Sequence, residues 1–251
     1  MIESAKPSIS IITATYNAAA LLPRLIESLI AQTDQDFEWV VADGGSTDGT
    51  LEILEDAKGR LKNVVVDSRP DFGIYDALNR GLGMTTGAYY VVLGGDDTLE
   101  SSAIANYKLA IVKSGADLVT ARVESNGKIQ GARHPGRAWL YGQFSYVSGH
   151  AVGLAVKRSL HDTMGLYSRH YPIAADQLFI LEAIDQGASV SEHPFVAGRF
   201  ESKYGASGQD ILGTSTEGFR VQVQMGQPLA IQLILLVLRI IKNRRFIGVR
   251  K

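Results

Sequence analysis

The first half of the chain alternates two kinds of segment at a regular interval. Short β-branched or aromatic runs of strand length are Ser8–Thr15, Phe37–Ala42, Asn63–Asp67, Tyr89–Leu93 and Asp117–Ala121. Stretches with apolar residues at helical spacing lie between them: Ala19–Gln32, Thr47–Lys58, Tyr75–Gly83 and Ser101–Ser114. Each repeat is about 30 residues long, the size of one βαβ unit. The pattern predicts an α/β fold with a mostly parallel, Rossmann-like central sheet and helices on both faces.

The second half is less regular. It predicts a strand over Gly149–Lys157 and a helix over Ile173–Gln186 with Asp176 in its first turn. One or two further strands are predicted over Ser189–Phe200, followed by a polar, Gly-rich mobile loop over Glu201–Gly213. Thr216–Arg245 then has a helical pattern that is interrupted at Gly226–Pro228, where Pro suits the first turn of a new helix. We therefore expect one domain over 1–213 and a C-terminal helical, amphipathic and basic tail over 214–251.

Composition excludes several classes of protein. Of the 251 residues 45% are hydrophobic and 20% are charged, which indicates a globular chain and excludes disorder for the bulk. There is no cysteine, so disulfide frameworks, thiolate nucleophiles and thiolate metal sites are excluded. Any divalent metal would need carboxylate or imidazole ligands. The N-terminal residues do not have the pattern of a signal peptide.

Charge is distributed unevenly along the chain. The net charge is −1, but residues 1–238 carry 19 basic and 26 acidic side chains (−7), whereas residues 239–251 carry six basic and no acidic ones. Leu229–Ile241 is apolar but falls short of the roughly 20 residues that span a bilayer. It has a polar stripe (Gln232, Arg239, Lys242 and Asn243) and a wide apolar face. This pattern predicts a helix lying in the interface of an anionic membrane; the alternative is a helix docked on the body or on a second subunit.

Polar residues follow the predicted strands, at the edge where parallel α/β sheets bind ligands. Asp96 and Asp97 directly follow a buried strand, and a hard divalent ion would offset the repulsion between their carboxylates. The alternative is a solvated Gly-Gly-Asp-Asp turn. Asp43 opens the run DGGSTDGT, which combines a strand-end carboxylate, small residues and a helix start with Ser46 or Thr47 as the cap. Asp43 could bind a base or ribose; the alternative for this run is an ordinary helix N-cap, which would account for Asp48 and for Thr47.

Four ordered motifs carry a more specific indication: SIITATYN in the first strand, VVADGGSTDGT after the second, DFGIYDALNRG, and GDD after the fourth. In this order and spacing, over roughly residues 7–200, the chain resembles family 2 glycosyltransferases of the GT-A fold. The third motif is similar to the GIYDAMNKG-like motif of a subgroup common in bacterial cell-surface polysaccharide synthesis. Leu78 and Arg80 depart mildly from that motif.

The resemblance implies roles for individual residues. Thr15, Tyr16 and Asn17 would line the nucleotide pocket, Asp43 would bind the base, Asp96 the ribose or sugar, and Asp97 an Mn²⁺ or Mg²⁺ ion that bridges the diphosphate. The remaining residues implied at the donor sugar or phosphates are Asp71, Gly73, Asp76, Arg80 and His150. For Asp76 and Arg80 the equal alternative is ordinary polarity on the surface of a helix. For His150 the equal alternative is a structural role.

Asp176 matches the family's general base, which accepts the proton of the acceptor hydroxyl. Many members have an acid where this chain has Ala175, and the alternative is an Asp favoured by the helix dipole. Arg199, Lys203 and Tyr204, at or in the Gly-rich loop, would close over the donor phosphates.

The sequence as a whole predicts an inverting, metal-dependent glycosyltransferase. It would move a sugar from a nucleotide diphosphate donor, most simply UDP-linked, to a lipid-linked saccharide in cell-surface polysaccharide synthesis, at the cytoplasmic face of the membrane. We do not expect nucleic acid as a partner, and the sequence leaves open whether the chain forms a homo-oligomer. Two alternatives remain: a nucleotidyltransferase or other nucleotide-sugar enzyme, although no P-loop is present, and an inactive membrane-associated scaffold.

Overall fold

The computed structural model describes residues 9–133, 136–200 and 210–245. Nine strands form one sheet: β1 (Ile9–Thr15), β2 (Phe37–Asp43), β3 (Val64–Ser68), β4 (Tyr89–Val92), β5 (Thr98–Leu99), β6 (Leu118–Ser125), β7 (Lys128–Gln130), β8 (Leu154–Lys157) and β9 (Val190–Arg199). The helices are α1 (Leu22–Ile30), α2 (Thr50–Arg60), α3 (Ile74–Met84), α4 (Ala103–Ser114), α5 (Ala138–Tyr141), α6 (Leu160–Met164), α7 (Ala175–Asp185), α8 (Ile211–Gln224) and α9 (Leu229–Asn243). Two 3-10 turns cover Gly142–Ser145 and Ala151–Gly153.

The sheet has a parallel half and a mixed half. Its order is β3-β2-β1-β4-β8-β6-β9-β5, with β7 paired to β6. The β3, β2, β1 and β4 strands are all parallel, whereas β8 runs antiparallel to both β4 and β6. The predicted α/β fold is confirmed, and the parallel pairing that the sequence predicts holds for the N-terminal half.

Alternating side chains of the strands pack on two helical layers. In β1, Ile9 and Ile11 lie in the core with α1, α2 and α4, while Ile12 lies in the core with α3, α7 and α8. The predicted helices on both faces are therefore confirmed. Helix α3 lies close to the sheet because Gly81 faces Ile12, where a built Cβ would come within 2.6 Å of the Ile12 side chain.

Several predicted boundaries differ from the observed ones. The strand predicted over Gly149–Lys157 is a 3-10 turn followed by the short β8, and β5 and β7 have no counterpart in the predicted pattern. The predicted break at Gly226–Pro228 matches the gap between α8 and α9. The division between 1–213 and 214–251 falls within α8, and the two-unit organisation stays a prediction. Within the described residues, no helix is long and apolar enough to cross a bilayer.

Candidate active site

The carboxyl ends of β1 to β4 lie along one edge of the sheet, because these four strands are parallel neighbours. Thr15 and Asp43 lie at that edge because they are the last residues of β1 and β2, and the Gly94–Asp97 turn follows β4. Helix α3 begins at the same edge after the Asp71–Gly73 segment. This edge is where ligands bind in open α/β sheets.

Asp43 is fully buried and shapes the loop that follows β2. Its carboxylate accepts hydrogen bonds from the hydroxyls of Thr15 (3.0 Å), Ser46 (2.5 Å) and Ser68 (2.7 Å), and from the backbone N–H groups of Gly45 and Ser46. Burial alone would raise the pKa of Asp43, but these hydrogen bonds outweigh burial and hold the pKa below its ordinary value. The carboxylate thus organises the 44–46 loop, and it is the loop that faces outwards.

The predicted cap of α2 is wrong. The helix begins at Thr50 after Gly49, which has a left-handed backbone (φ 95°), and neither Ser46 nor Thr47 caps it. Asp48 instead accepts from the backbone and side chain of Thr50, and it also accepts from the backbone of Ala19. The reason is that the Ser46 hydroxyl is already committed to Asp43.

Tyr16 and Asn17 lie beside this loop. The side chain of Tyr16 is 67% exposed, and a Cβ built on Gly44 would lie 3.3 Å from it and 2.8 Å from the Asp71 carboxylate. Asn17 has a left-handed backbone (φ 48°), accepts from the N–H of Thr47 and donates its own N–H to Ser46. An exposed aromatic ring and a carboxylate therefore pack directly against Gly44, where a larger residue would collide with Asp71.

Arg80 ties the strand ends together. Its guanidinium pairs with Asp67 (2.6 Å), donates to the carbonyl of Asp43 (2.9 Å) and lies 3.5 Å from Asp71. Only 11% of the side chain is exposed. Because most of its donors contact protein, Arg80 positions Asp71 and the 44–46 loop.

Asp76 has a similar supporting arrangement at the start of α3. It is buried, accepts from the N–H of Phe72 and forms an ion pair with Arg169. Gly73 precedes the helix with φ 109°, a backbone conformation that favours glycine, and its N–H donates to Asp71.

Asp96 and Asp97 converge on one point after β4. A Cβ on residue 94 would lie 2.8 Å from Asp96 Oδ1 and 3.1 Å from Asp97 Oδ2, so an oxygen of each carboxylate lies close to Gly94. Asp97 is buried and accepts a hydrogen bond from the Gly94 N–H at 2.6 Å. Burial raises its pKa well above the ordinary range, and the charge of Asp96 adds to the increase. A bound cation would relieve both effects.

His150 faces this pair, with Nδ1 at 3.8 Å from Asp97 Oδ2. Its ring stacks on Phe200 with centroids 4.2 Å apart, and burial lowers the pKa of His150 to about 4. The Asp96 and Asp97 carboxylates are ligands of the kind that Mn²⁺ and Mg²⁺ prefer, whereas His150 Nδ1 also accepts from the Val152 N–H at 3.4 Å. Among the described residues no cluster of three or more potential ligands exists, so such an ion would take its remaining ligands from a diphosphate and water.

Asp176 lies in the first turn of α7 and contacts α3. Its Oδ1 lies 2.6 Å from the Tyr75 hydroxyl, which is also 2.9 Å from the Ile173 carbonyl. Burial raises the pKa of Asp176, and hydrogen bonds from Tyr75 and Gln143 oppose part of that increase. Asp176 is half-buried, and a partly accessible carboxylate with a raised pKa is suited to accept a proton near neutral pH.

Tyr75, Gln143 and Glu217 are site residues that the sequence did not identify. Tyr75 lies within the third motif, but nothing in the motif assigned it a role. Gln143 and Glu217 lie in segments without a motif, and Glu217 reaches the site only because α8 packs on α7. Arg199 pairs with Glu124 at 2.9 Å, while Lys203 and Tyr204 lie outside the described residues.

Comparison with known proteins gives consistent results. The sequence profile of Glycosyl transferase family 2 matches residues 10–171. A PGL/p-HBAD biosynthesis glycosyltransferase of Mycobacterium tuberculosis is 31% identical over 241 residues, covering 94% of this chain and 91% of that protein.

Two solved structures share the fold at low identity. One is S. aureus TarS 1–349 in complex with UDP-GlcNAc (TM-score 0.70, 19% identity), covering 95% of this chain and 73% of that one. The other is the mannosyltransferase PcManGT of Pyrobaculum calidifontis in complex with GDP-Man and Mn²⁺ (TM-score 0.69, 16% identity), covering 96% and 76%.

Proposed function

Because the chain belongs to glycosyl transferase family 2 and is a nucleotide-sugar glycosyltransferase, we propose that it acts with inversion on a UDP-linked donor. The acceptor is a lipid-linked saccharide in cell-surface polysaccharide synthesis, and the enzyme works at the inner face of the cell membrane. The observation that carries the proposal is the pair of carboxylates, Asp96 and Asp97, converging at Gly94 on the ligand-binding edge of the sheet.

The donor lies across the ends of β1, β2 and β4. Tyr16 and Asn17 line the nucleotide pocket, with Asp71 beside the 44–46 loop, and Asp43 contributes to base recognition through the loop that its carboxylate shapes. Asp96 contacts the ribose or sugar. Gly73, Asp76 and Arg80 hold the Asp71 segment in place on the donor side.

Asp97, with His150 close by, would hold a Mn²⁺ or Mg²⁺ ion. When bound, the ion supplies positive charge that stabilises the departing diphosphate. The protein's part is to keep Asp97 buried and fixed by the Gly94 N–H, and a cation at this carboxylate would favour the charged form that burial disfavours.

Asp176 carries out the proton transfer. The acceptor hydroxyl oxygen forms a new bond to the anomeric carbon as the bond from that carbon to the diphosphate oxygen breaks, and the hydroxyl proton passes to Asp176. Attack from the face opposite the leaving diphosphate inverts the anomeric configuration. Tyr75 holds the Asp176 carboxylate in position for this transfer.

Substitution of the two key carboxylates tests the proposal. We expect Asp176→Asn to lower kcat by about 10²- to 10⁴-fold, the usual contribution of a general base, with nucleotide binding retained. Asp97→Asn should instead weaken nucleotide binding in the presence of Mn²⁺. The measurement is release of free UDP from UDP-sugars with acceptor, and calorimetric binding of UDP with Mn²⁺.

Asp185→Asn is the matched control, because Asp185 is an exposed carboxylate in the same helix as Asp176. It should behave like the wild type. Wild-type transfer rates from both Asp176→Asn and Asp97→Asn would refute the assignment. Release of pyrophosphate in place of UDP would indicate nucleotidyl transfer.

A further inference from the structure

Two residues of the polar stripe of helix α9, Gln232 and Arg239, face the protein. Gln232 is fully buried, and its Nε2 donates to the carbonyl of Trp139 at 2.7 Å. About two helical turns later, Arg239 donates from Nη2 to the carbonyl of Leu140 at 3.0 Å. These contacts satisfy two backbone carbonyls of the 138–141 segment. The polar residues that would normally face water are therefore used to dock the helix.

The opposite side of α9, which we call the outer face, is apolar and exposed. It consists of Ile231, Leu233, Ile234, Val237, Leu238 and Ile241, whose exposed fractions lie between 40% and 61%. Scattered exposed apolar residues are ordinary, but a contiguous face of this kind marks an interaction surface. A helix whose docked stripe is polar and whose free face is apolar requires a second apolar partner.

Positive charge lies at the end of this face. Lys242, Arg244 and Arg245 are exposed, and none of the three pairs with a carboxylate among residues 9–133, 136–200 and 210–245. The sequence beyond adds Arg250 and Lys251 and no acidic residue. The partner must therefore accept apolar side chains and also present negative charge beside them.

We propose that the outer face of α9 docks on an anionic lipid surface. Such a surface provides both properties, because apolar side chains enter the boundary of the acyl region while anionic headgroups contact the adjacent Lys and Arg side chains. The helix lies in the plane of the interface, held to the protein by Gln232 and Arg239.

The segment that α9 contacts is joined to the candidate active site. It continues into the 3-10 turn over Gly142–Ser145, which packs against α7, the helix that carries Asp176. The docked helix is thus linked through a short stretch of chain to the general base, whereas the nucleotide pocket lies at β1 and β2. On the basis of the proposed function, we expect the Asp176 end of the site to lie nearer the lipid surface than the nucleotide pocket does.

Vesicle co-sedimentation of the full chain tests the docking. We expect the protein to pellet with vesicles of phosphatidylcholine and phosphatidylglycerol at low salt, and much less with phosphatidylcholine alone. The variant I234Q/L238Q/I241Q should reduce the bound fraction at least tenfold. The variant K242Q/R244Q/R245Q should lose the preference for phosphatidylglycerol and the sensitivity to salt.

The matched control is L109Q/V112Q in α4, because both side chains are 69% exposed on another helix. It should bind vesicles like the wild type. Circular dichroism melting of each variant confirms folding, which the exposed positions should permit. UDP binding is measured on the same samples. A wild-type protein that binds vesicles but does not bind UDP counts against the proposed function and not against the docking.

Two results would overturn the docking proposal. One is equal pelleting of the wild type and I234Q/L238Q/I241Q with anionic vesicles. The other is a stable dimer in sedimentation velocity that I234Q/L238Q/I241Q converts to monomer, because a second copy would then cover the outer face.

Discussion

Individual side chains at the active site divide into those that face a ligand and those that hold other residues. Sequence motifs identified both kinds together, because a motif records which residues the site needs and not what each one touches. Arg80 illustrates this: its place in the third motif suggested a donor contact, but its guanidinium contacts Asp67, Asp71 and the Asp43 carbonyl. Only the three-dimensional arrangement assigns it to support.

Tyr75 contacts Asp176, the carboxylate that we propose as the general base. Its hydroxyl donates to Asp176 and so lowers the pKa that burial raises. The Tyr75→Phe variant removes this hydrogen bond, so the pKa of Asp176 should rise further. Because the base must be deprotonated to act, the acidic limb of the kcat profile should move to higher pH. At the acidic end we expect a roughly tenfold loss of kcat, as for one lost hydrogen bond of about 1.5 kcal/mol to a charged group.

Tyr89→Phe is the control for that measurement. Tyr89 is a buried tyrosine whose hydroxyl donates to the Ala116 carbonyl, two residues before β6. This variant should lose some stability but keep the wild-type pH profile. An unshifted acidic limb in Tyr75→Phe would mean that Asp176 is not the group that titrates.

At the scale of elements, periodicity identified the long strands and helices and missed the short ones. β5 has two residues and β7 has three, too few to show an alternation. The amphipathic pattern of α9 was also recognised, but a pattern of polar and apolar stripes does not say which stripe the protein covers. Hydrogen bonds to the Trp139 and Leu140 carbonyls decide that question, and no local sequence signal encodes them.

Helix α8 supports the N-terminus of α7. The Glu217 carboxylate accepts from the N–H groups of Ile173 and Ala174 at 2.9 Å each, directly before the turn that carries Asp176. Replacing Glu217 by Ala should cost about 1–2 kcal/mol of stability, the typical loss when a helix cap is removed. It should also lower kcat more than it raises KM, because Asp176 is displaced while the donor pocket is intact.

Glu217→Gln keeps one side-chain acceptor and should recover part of both losses. Urea denaturation and steady-state kinetics measure the two effects. If Glu217→Ala lost stability with no change in kcat, α8 would support the fold without positioning the base.

At the scale of the whole molecule, donor binding should stabilise the native state. A ligand at about 100 times its Kd adds about 2.7 kcal/mol, which corresponds to a rise in Tm of roughly 5–10 °C for a chain of this size. We expect this shift with UDP and Mn²⁺ together and a much smaller one with UDP alone. Thermal unfolding followed by fluorescence measures it.

Asp97→Asn should abolish the Mn²⁺-dependent part of the shift, and Asp185→Asn should leave the shift unchanged. A wild-type Tm that does not respond to any UDP-sugar or GDP-sugar with Mn²⁺ would contradict nucleotide binding at this edge of the sheet.

The position of β4 in the sheet has a consequence for the order in which the protein is made. β4 pairs with β1 on one side and with the much later β8 on the other, and the turn before Asp176 contacts Glu217, which is later still. During synthesis from the N-terminus, β1 to β4 leave the ribosome before either of these later partners. We therefore expect the proposed catalytic centre to form after the parallel half of the sheet, because its contacts join residues that are far apart in sequence and slow to meet.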